Sequence, residues 1–379
     1  MNILKIVSLS LLVVSFASCK RDYADSPSKA PTNISASSGF TCGTLSTNLP
    51  DADFSLNLPF YFTATFSETV TWKIELKGHT SKATKTISGT SSFLDGTNAA
   101  WIGNHDGLYF FEQGELIKAN LIISGKEGPC ATISFNLAAG RDYTSATPTF
   151  MLVSNTSGNT STFEGSSNYP YMFNIGATTL SKVQTADIRA PEGIKYMHIE
   201  GVSAEANGFF VGGLQCRKDA IAAGYFFPVT WTDPNQIYLN VYIRGIDNLP
   251  AGNYPYANLN FECHEDDNMN MSSMANCGYY ANKPGPPVNN PDHFCPSSED
   301  SWVFKVPIRH QGWQLFSCKY SDLLPSEDFA NGGFGNRKLE PQKVCRVQFG
   351  VVSSPPFNRV SADIDFACFT YGAPYDPKK

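Results

Sequence analysis

Charge is scarce in this 379-residue chain, with Asp, Glu, Lys and Arg together only 16% of the sequence. The basic residues never gather into a block and the net charge is −6, which argues against nucleic-acid binding. Catalytic signatures are missing as well. There is no Gly-x-Ser-x-Gly, no His-Glu-x-x-His and no phosphate-cradling Gly-Lys-Ser/Thr, and the six histidines are scattered. A glycosidase needs only two well-spaced carboxylates, so that class stays open. Glu192, Glu200 and Glu205 lie close together, although acids at strand ends and turns are ordinarily just solvated. Long apolar runs are absent too. Spanning a bilayer takes ~20 apolar residues, and the one continuous run, Ile6 to Phe16, is shorter. No long stretch shows the 3.6-residue period of an amphipathic helix.

What is present begins with that short run. Lys5 gives a positive n-region, Ile6 to Phe16 an apolar h-region, and the small residues Ala17 and Ser18 precede Cys19. Phe16-Ala17-Ser18-Cys19 resembles the lipobox of bacterial lipoproteins, with Phe where Leu is usual. The resemblance implies that residues 1–18 are a signal peptide and that Cys19 becomes an acylated first residue. Several acyl chains on one cysteine anchor stably, at ~0.8 kcal/mol per buried methylene. An ordinary secretory signal is the other reading. Asp22 stands third after the cysteine rather than first, which by resemblance favours the outer membrane. Lys20-Arg21-Asp22 loosely resembles surface-export signals of Gram-negative lipoproteins.

Removing residues 1–18 takes one lysine away and leaves 27 basic residues against 34 acidic, in a chain long enough for roughly two or three domains. Aromatics reach 13%, Gly and Pro are plentiful, and short alternating runs sit between turn residues. This pattern predicts an all-β protein built from sandwiches. Ten cysteines fit an oxidising compartment. With Cys19 acylated, nine remain, so at least one is unpaired or bonds outside the chain. Cys42 and Cys130 bracket the first domain and are expected to pair. The connectivity of the other seven, from Cys216 to Cys368, is not legible.

Residues 19–38, rich in Ser, Pro, Ala and Thr, read as a lipidated flexible tether. Residues 39–141 read as a first β-sandwich, from "FYFTATF", "TVTWKIEL" and "LYFFEQGELIKANLIISG". Phe66, Trp72, Ile74, Leu121 and Ile123 are its expected core. In strand pattern and size it resembles an immunoglobulin or fibronectin-type domain. Trp101 and Tyr109 are expected in that core, with ligand platforms as the alternative. Residues 142–379 form the second domain, interrupted by an insertion at about 263–295. That stretch is long for a structureless loop, so it is functional or stapled by its cysteines. His264, Met269, Met271 and Met274 offer soft-metal donors, yet their spacing matches no strong ligand pattern.

Two strands of the second domain carry candidate ligand chemistry. In "QIYLNVYIRG", Ile237, Leu239, Val241 and Ile243 point to a core, while Tyr238, Asn240, Tyr242 and Arg244 point the other way. In "VCRVQFGV", Cys345, Val347, Phe349 and Val351 point inward, with Arg346 and Gln348 outward. A face with tyrosines, arginines and amides suits a sugar, since rings stack on pyranose faces while planar groups take paired hydroxyls. A plain solvated sheet face is the competing reading. Trp231 and Trp313 flank turns, as rim platforms or as core.

The order "FEG", "APEGIKYMHIEG", "GFFVGGLQC", "GWQLFSCKYSDLL", "KVCRVQFGVV" and "VSADIDFACFTYG" resembles the galactose-binding-like jelly roll of many carbohydrate-binding modules. The resemblance implies a β-sandwich jelly roll behind the immunoglobulin-like domain. It also implies a structural calcium ion where first and last strands meet, with Glu164 and Asp365 as carboxylate ligands and Asp363 beside them. As a whole the chain resembles the accessory binding lipoproteins of polysaccharide-uptake systems. That implies a non-catalytic, surface-exposed glycan binder on the outer membrane, with an outer-membrane transporter or another surface protein as neighbour. A protein-binding adhesin and a glycan-cleaving enzyme are the alternatives.

Overall fold

A computed structural model describes residues 39–55, 58–141, 149–153, 163–164, 171–174, 177–183, 188–202, 210–217, 229–245, 256–265, 300–326, 336–354 and 359–379. Cys19, the signal segment, the tether and the methionines of the insertion lie outside the described residues. One compact unit spans Thr41–Lys379. Its regular structure is β, with only single 3-10 turns between strands among the described residues.

The first seven strands are β1 (Ser46–Thr47), β2 (Ala52–Asp53), β3 (Phe60–Gly78), β4 (Thr84–Leu94), β5 (Ala100–Trp101), β6 (Leu116–Ile123) and β7 (Pro129–Ala139). They pair in the order β1-β3-β6-β7-β2, with β4 and β5 also on β3. The 19-residue β3 explains this arrangement. Its first half pairs with β1 and β5 and its second half with β6, so one strand serves two parts of the fold. Alternation then buries Phe60, Phe62, Ala64 and Phe66, and Trp72, Ile74 and Leu76 beyond them, against Leu121, Ile123 and Phe135. The five expected core residues are all buried. So is Trp101, edge-on to Phe54 and Phe111, while Tyr109 lies under the Arg189 guanidinium. Cys42 and Cys130 form the expected disulfide. Closing an 88-residue loop is worth roughly 4–5 kcal/mol in the chain-entropy account.

The remaining strands are β8 (Thr149–Val153), β9 (Tyr171–Asn174), β10 (Ala177–Val183), β11 (Tyr196–Val202), β12 (Phe210–Arg217), β13 (Ile237–Gly245), β14 (Tyr256–Glu265), β15 (Asp300–Ile308), β16 (Gly312–Lys319), β17 (Leu324–Pro325), β18 (Val344–Ser354) and β19 (Arg359–Tyr371). They make two six-stranded sheets. One runs β10-β11-β19-β13-β16 with β8 on β19, and the other runs β17-β15-β14-β18-β12-β9. Ile237, Leu239, Val241 and Ile243 of the first sheet and Phe261, Val347, Phe349 and Val351 of the second share one core between them. The inward sets expected on β13 and β18 are therefore found, apart from Cys345, whose side chain is outside the described residues. Of the stretch expected as an insertion, residues 266–299 lie outside the described residues. Cys263, His264 and Glu265 end β14, paired with β15 and β18.

Candidate functional site

The single exposed face expected from β13 and β18 does not form, for two reasons. The strands belong to opposite sheets, so Arg346 and Gln348 look away from Tyr238, Asn240, Tyr242 and Arg244 across the core. The β13 face is also closed. Asn240 is fully buried, its Nδ2 donating to Thr370 Oγ1 and its Oδ1 accepting from Ser317 Oγ and the Tyr375 amide. Tyr242 packs in a cluster with Phe110, Phe366 and Cys368. Arg244 is bound to Asp363. Only Tyr238 keeps partial exposure, with the Lys319 ammonium 5.8 Å from its ring.

A bulge builds that closed cluster. Val241 pairs with Ala367 but Tyr242 pairs with Asp365, leaving Phe366 as the extra residue, at φ 38°. The left-handed backbone costs about 1–2 kcal/mol at a bulky residue. It turns the Phe366 ring onto Phe110 and Tyr375, with centroids 4.8 and 4.9 Å away. Residues 104–112 and the last residues of the chain complete the cover. The His105 amide donates to Pro377 O, Asn104 Nδ2 to Lys378 O, and the Phe110 amide to Pro191 O. Arg189 binds Glu112 and Thr80 O, and Trp313 Nε1 donates to Arg189 O at 2.8 Å. Trp313 therefore packs in this junction, and Trp231 packs against the sandwich core.

The outer face of the opposite sheet carries the second candidate. Register places Glu262 of β14 across from Gln348 of β18, and His264 across from Arg346. Gln348 Nε2 donates to Glu262 Oε2 at 3.1 Å. Arg346 lies 3.1 Å from His264 Nδ1, and His264 Nε2 stands 3.5 Å from Glu262 Oε2. The same guanidinium nitrogen lies 3.1 Å from Nδ1 and 3.3 Å from Nε2; a guanidinium only donates, so one ring nitrogen accepts from it and the other carries the imidazole proton. Burial holds the His264 imidazole well below its usual range, and the Arg346 charge adds to this. The result is a neutral imidazole wired between a guanidinium and a carboxylate, with Asn260 Nδ2 at 3.4 Å from Glu262 Oε1. The four main members are 2–8% exposed, as buried as Tyr242 and Arg244 of β13, but they form a linked polar network instead of an aromatic cluster.

Arg346 and Gln348 were legible as outward residues of β18. Glu262, His264 and Asn260 were missed, although "NLNFECHE" alternates Leu259, Phe261 and Cys263 with them at period two. Assigning Cys263 onward to an insertion hid the strand.

Of the three expected calcium ligands, two lie near each other. Glu164 accepts the amides of Ile194 and Lys195 at 2.7 and 2.6 Å. Asp365 accepts the Glu192 amide at 2.9 Å, and burial followed by the Glu192 and Glu164 charges pushes its carboxyl well above the usual range. Asp363 is committed elsewhere, to Arg244 and to His198. Among the described residues, no three His, Cys, Asp or Glu side chains converge as a metal-binding group. Phe163, ahead of Glu164, is in the core. Cys318 and Cys368 are buried outside any disulfide, and burial pushes the Cys318 thiol up to about 12. Among the described residues no helix is long and apolar enough to cross a membrane.

No protein-family model and no curated protein matches this chain. Among solved structures, a family 11 carbohydrate-binding module of the cellulosomal cellulase Lic26A-Cel5E of Clostridium thermocellum matches at 10% identity. The match covers 54% of this chain and 88% of that one, with a TM-score of 0.31. SGBP-B from a complex xyloglucan utilization locus in Bacteroides uniformis matches at 10% identity over 88% of this chain and 73% of that one, TM-score 0.30. A structure of carbohydrate-binding modules from the β-sandwich superfamily matches at 14% identity over 86% and 97%, TM-score 0.30.

Proposed function

We propose that this protein is a non-catalytic glycan-binding protein whose ligand lies on the outer face of the β14–β18 sheet. The observation that carries this reading is the linked floor of Arg346, His264, Glu262 and Gln348 on two adjacent strands. Planar guanidinium, carboxylate and amide groups at strand spacing take paired hydroxyls, and their mutual contacts fix their orientation before a ligand arrives. The motif order that resembles a galactose-binding-like jelly roll supports the same class, with an immunoglobulin-like sandwich before it. A glycan array on the chain from residue 20 onward tests this. Arg346→Ala and Gln348→Ala each should weaken the best hit by ~1–3 kcal/mol, roughly ten- to a hundredfold, as measured on the fraction that circular dichroism shows to be folded. Selective oligosaccharide signals that both variants retain would move the site elsewhere. An array with no signal favours a protein-binding adhesin, and release of shortened glycans favours an enzyme.

In this reading the chain is anchored through Cys19 in the outer membrane and faces outward, beside an outer-membrane transporter or another surface protein. Palmitate labelling that persists in Cys19→Ser would remove the anchor from the proposal. A calcium ion held by Glu164 and Asp365, with Glu192 close by and Asp363 left to Arg244, belongs to the same proposal. The support is the mutual charge of Asp365, Glu192 and Glu164, which a divalent cation would relieve.

A further inference from the structure

The outer face of the β11–β19–β13 sheet holds a second polar group, beyond the end covered by Phe110 and Tyr375. Asp363 of β19 lies fully buried across from Arg244 of β13, whose Nε and terminal nitrogen both reach Oδ2 at 2.6 Å. The other carboxylate oxygen, Oδ1, is 2.6 Å from Nδ1 of His198 on β11. A carboxylate accepts, so Nδ1 carries a proton, and the Asp363 and Glu200 carboxylates hold the imidazole above its usual range, so that an ion at Nε2 displaces a proton. Nε2 stands 3.5 Å from Glu200 Oε2. Ser361 sits directly across from Glu200 in the β11–β19 register and two residues from Asp363, on the same face. It is 9% exposed, and its buried Oγ has no hydrogen-bond partner.

A buried Arg–Asp pair contributes little or nothing to stability relative to apolar packing. Here it fixes the tautomer and the ring of one half-exposed histidine. A carboxylate behind the far nitrogen is the arrangement that histidines use to hold metal ions. We propose that His198 Nε2, the Glu200 carboxylate and the Ser361 hydroxyl form a binding site for a divalent transition-metal ion of the zinc class, with solvent completing the shell. Two donors on a tetrahedral ion at 2.0–2.2 Å stand about 3.4 Å apart, and Nε2 and Oε2 are separated by 3.5 Å. An imidazole donor selects zinc-like ions over calcium or magnesium. The side chains of His198 and Glu200 are 23% and 34% exposed, so solvent reaches both. Among the described residues, two carboxylates, Asp363 and Glu200, and one cation, Arg244, stand around the imidazole, a balance that favours a cation. The ion would join β11 to β19, and binding to the native state alone would raise the melting temperature.

The proposal is independent of the glycan reading. The experiment is a Zn²⁺ titration of the full chain by calorimetry and by melting, with Ca²⁺ as comparison, and with Co²⁺ to read tetrahedral coordination from its visible absorption. The wild-type chain should bind zinc and melt higher. His198→Gln should lose that site. Glu200→Gln, checked for an unchanged metal-free melting temperature, should weaken it at least about tenfold, and Asp363→Asn, acting through the histidine, by about 10–100-fold. Ser361→Ala should weaken it further than calcium-site variants such as Asp365→Ala, which should leave zinc binding unchanged. Absence of zinc binding in the wild type overturns the proposal. So does wild-type zinc affinity in both His198→Gln and Glu200→Gln, which would assign the ion to thiols or other donors.

Discussion

Phe110 packs edge-on against Tyr242, with ring centroids 6.3 Å apart and planes at 81°. Tyr242 therefore belongs to a junction between the β1–β7 strands and the second pair of sheets, and not to an open ligand face. Tyr242→Ala and Phe110→Ala should each destabilise by about 3–5 kcal/mol, the usual range for a buried aromatic. Urea denaturation checks the loss. A Tyr242→Ala protein of wild-type stability that no longer binds glycan would restore the open-face reading of β13.

His105 lies in the same junction, against Phe110, with Nδ1 2.9 Å from Gly107 O and Nε2 3.4 Å from Tyr375 Oη. Burial lowers its pKa from 6.5 to about 4. Between those values the unfolded chain binds the proton and the folded one does not. Stability is therefore intact above about pH 6.5 and falls as pH drops toward 4, by roughly 3 kcal/mol in all. His105→Gln should flatten this acid limb in thermal unfolding measured from pH 7 to pH 4. An unchanged limb would place the acid sensitivity elsewhere.

Glu265 gives a slope of the opposite sign. Its carboxylate takes the Tyr320 hydroxyl, the Trp302 indole N–H and the Glu340 amide, yet burial still raises its pKa from 4.5 to about 8. In that window the folded state holds the proton. The contribution is full below about pH 4.5 and is lost as pH rises through about 8. Glu265→Gln mimics the protonated group, so the stability difference between wild type and variant should change from pH 5 to pH 9 and be level below pH 4.5. Trp302 fluorescence should report the same transition. A constant difference across the range would show that Glu265 is ionised in the fold.

The calcium proposal has a thermal signature. Excess chelator should lower the melting temperature of the wild-type chain, because an ion bound only by the native state stabilises by mass action. Asp365→Ala should lose that response, whereas Asp363→Ala should destabilise without losing it, since Asp363 serves Arg244 and His198. Identical wild-type melting curves with and without chelator would remove the ion.

Alternation along single strands determined much of this protein. Phe66, Trp72, Ile74, Leu121 and Ile123 are buried as their positions dictate, and the inward sets of β13 and β18 meet in one core, because side-chain parity is a property of one strand. The Cys42–Cys130 pairing was likewise legible, since only those two cysteines bracket the first run of strands. Only the tertiary structure decided what stands opposite each outward face. Membership of β13 and β18 in opposite sheets, the bulge that turns Phe366 outward and the burial of Asn240 and Arg244 all depend on strand pairing far apart in sequence. The floor of Glu262, His264, Arg346 and Gln348 joins residues 82–86 positions apart, and the Arg244–Asp363–His198 chain spans 165. A strand's own pattern fixes which residues leave its core face. It contains no information on whether water, another sheet or a ligand meets them there.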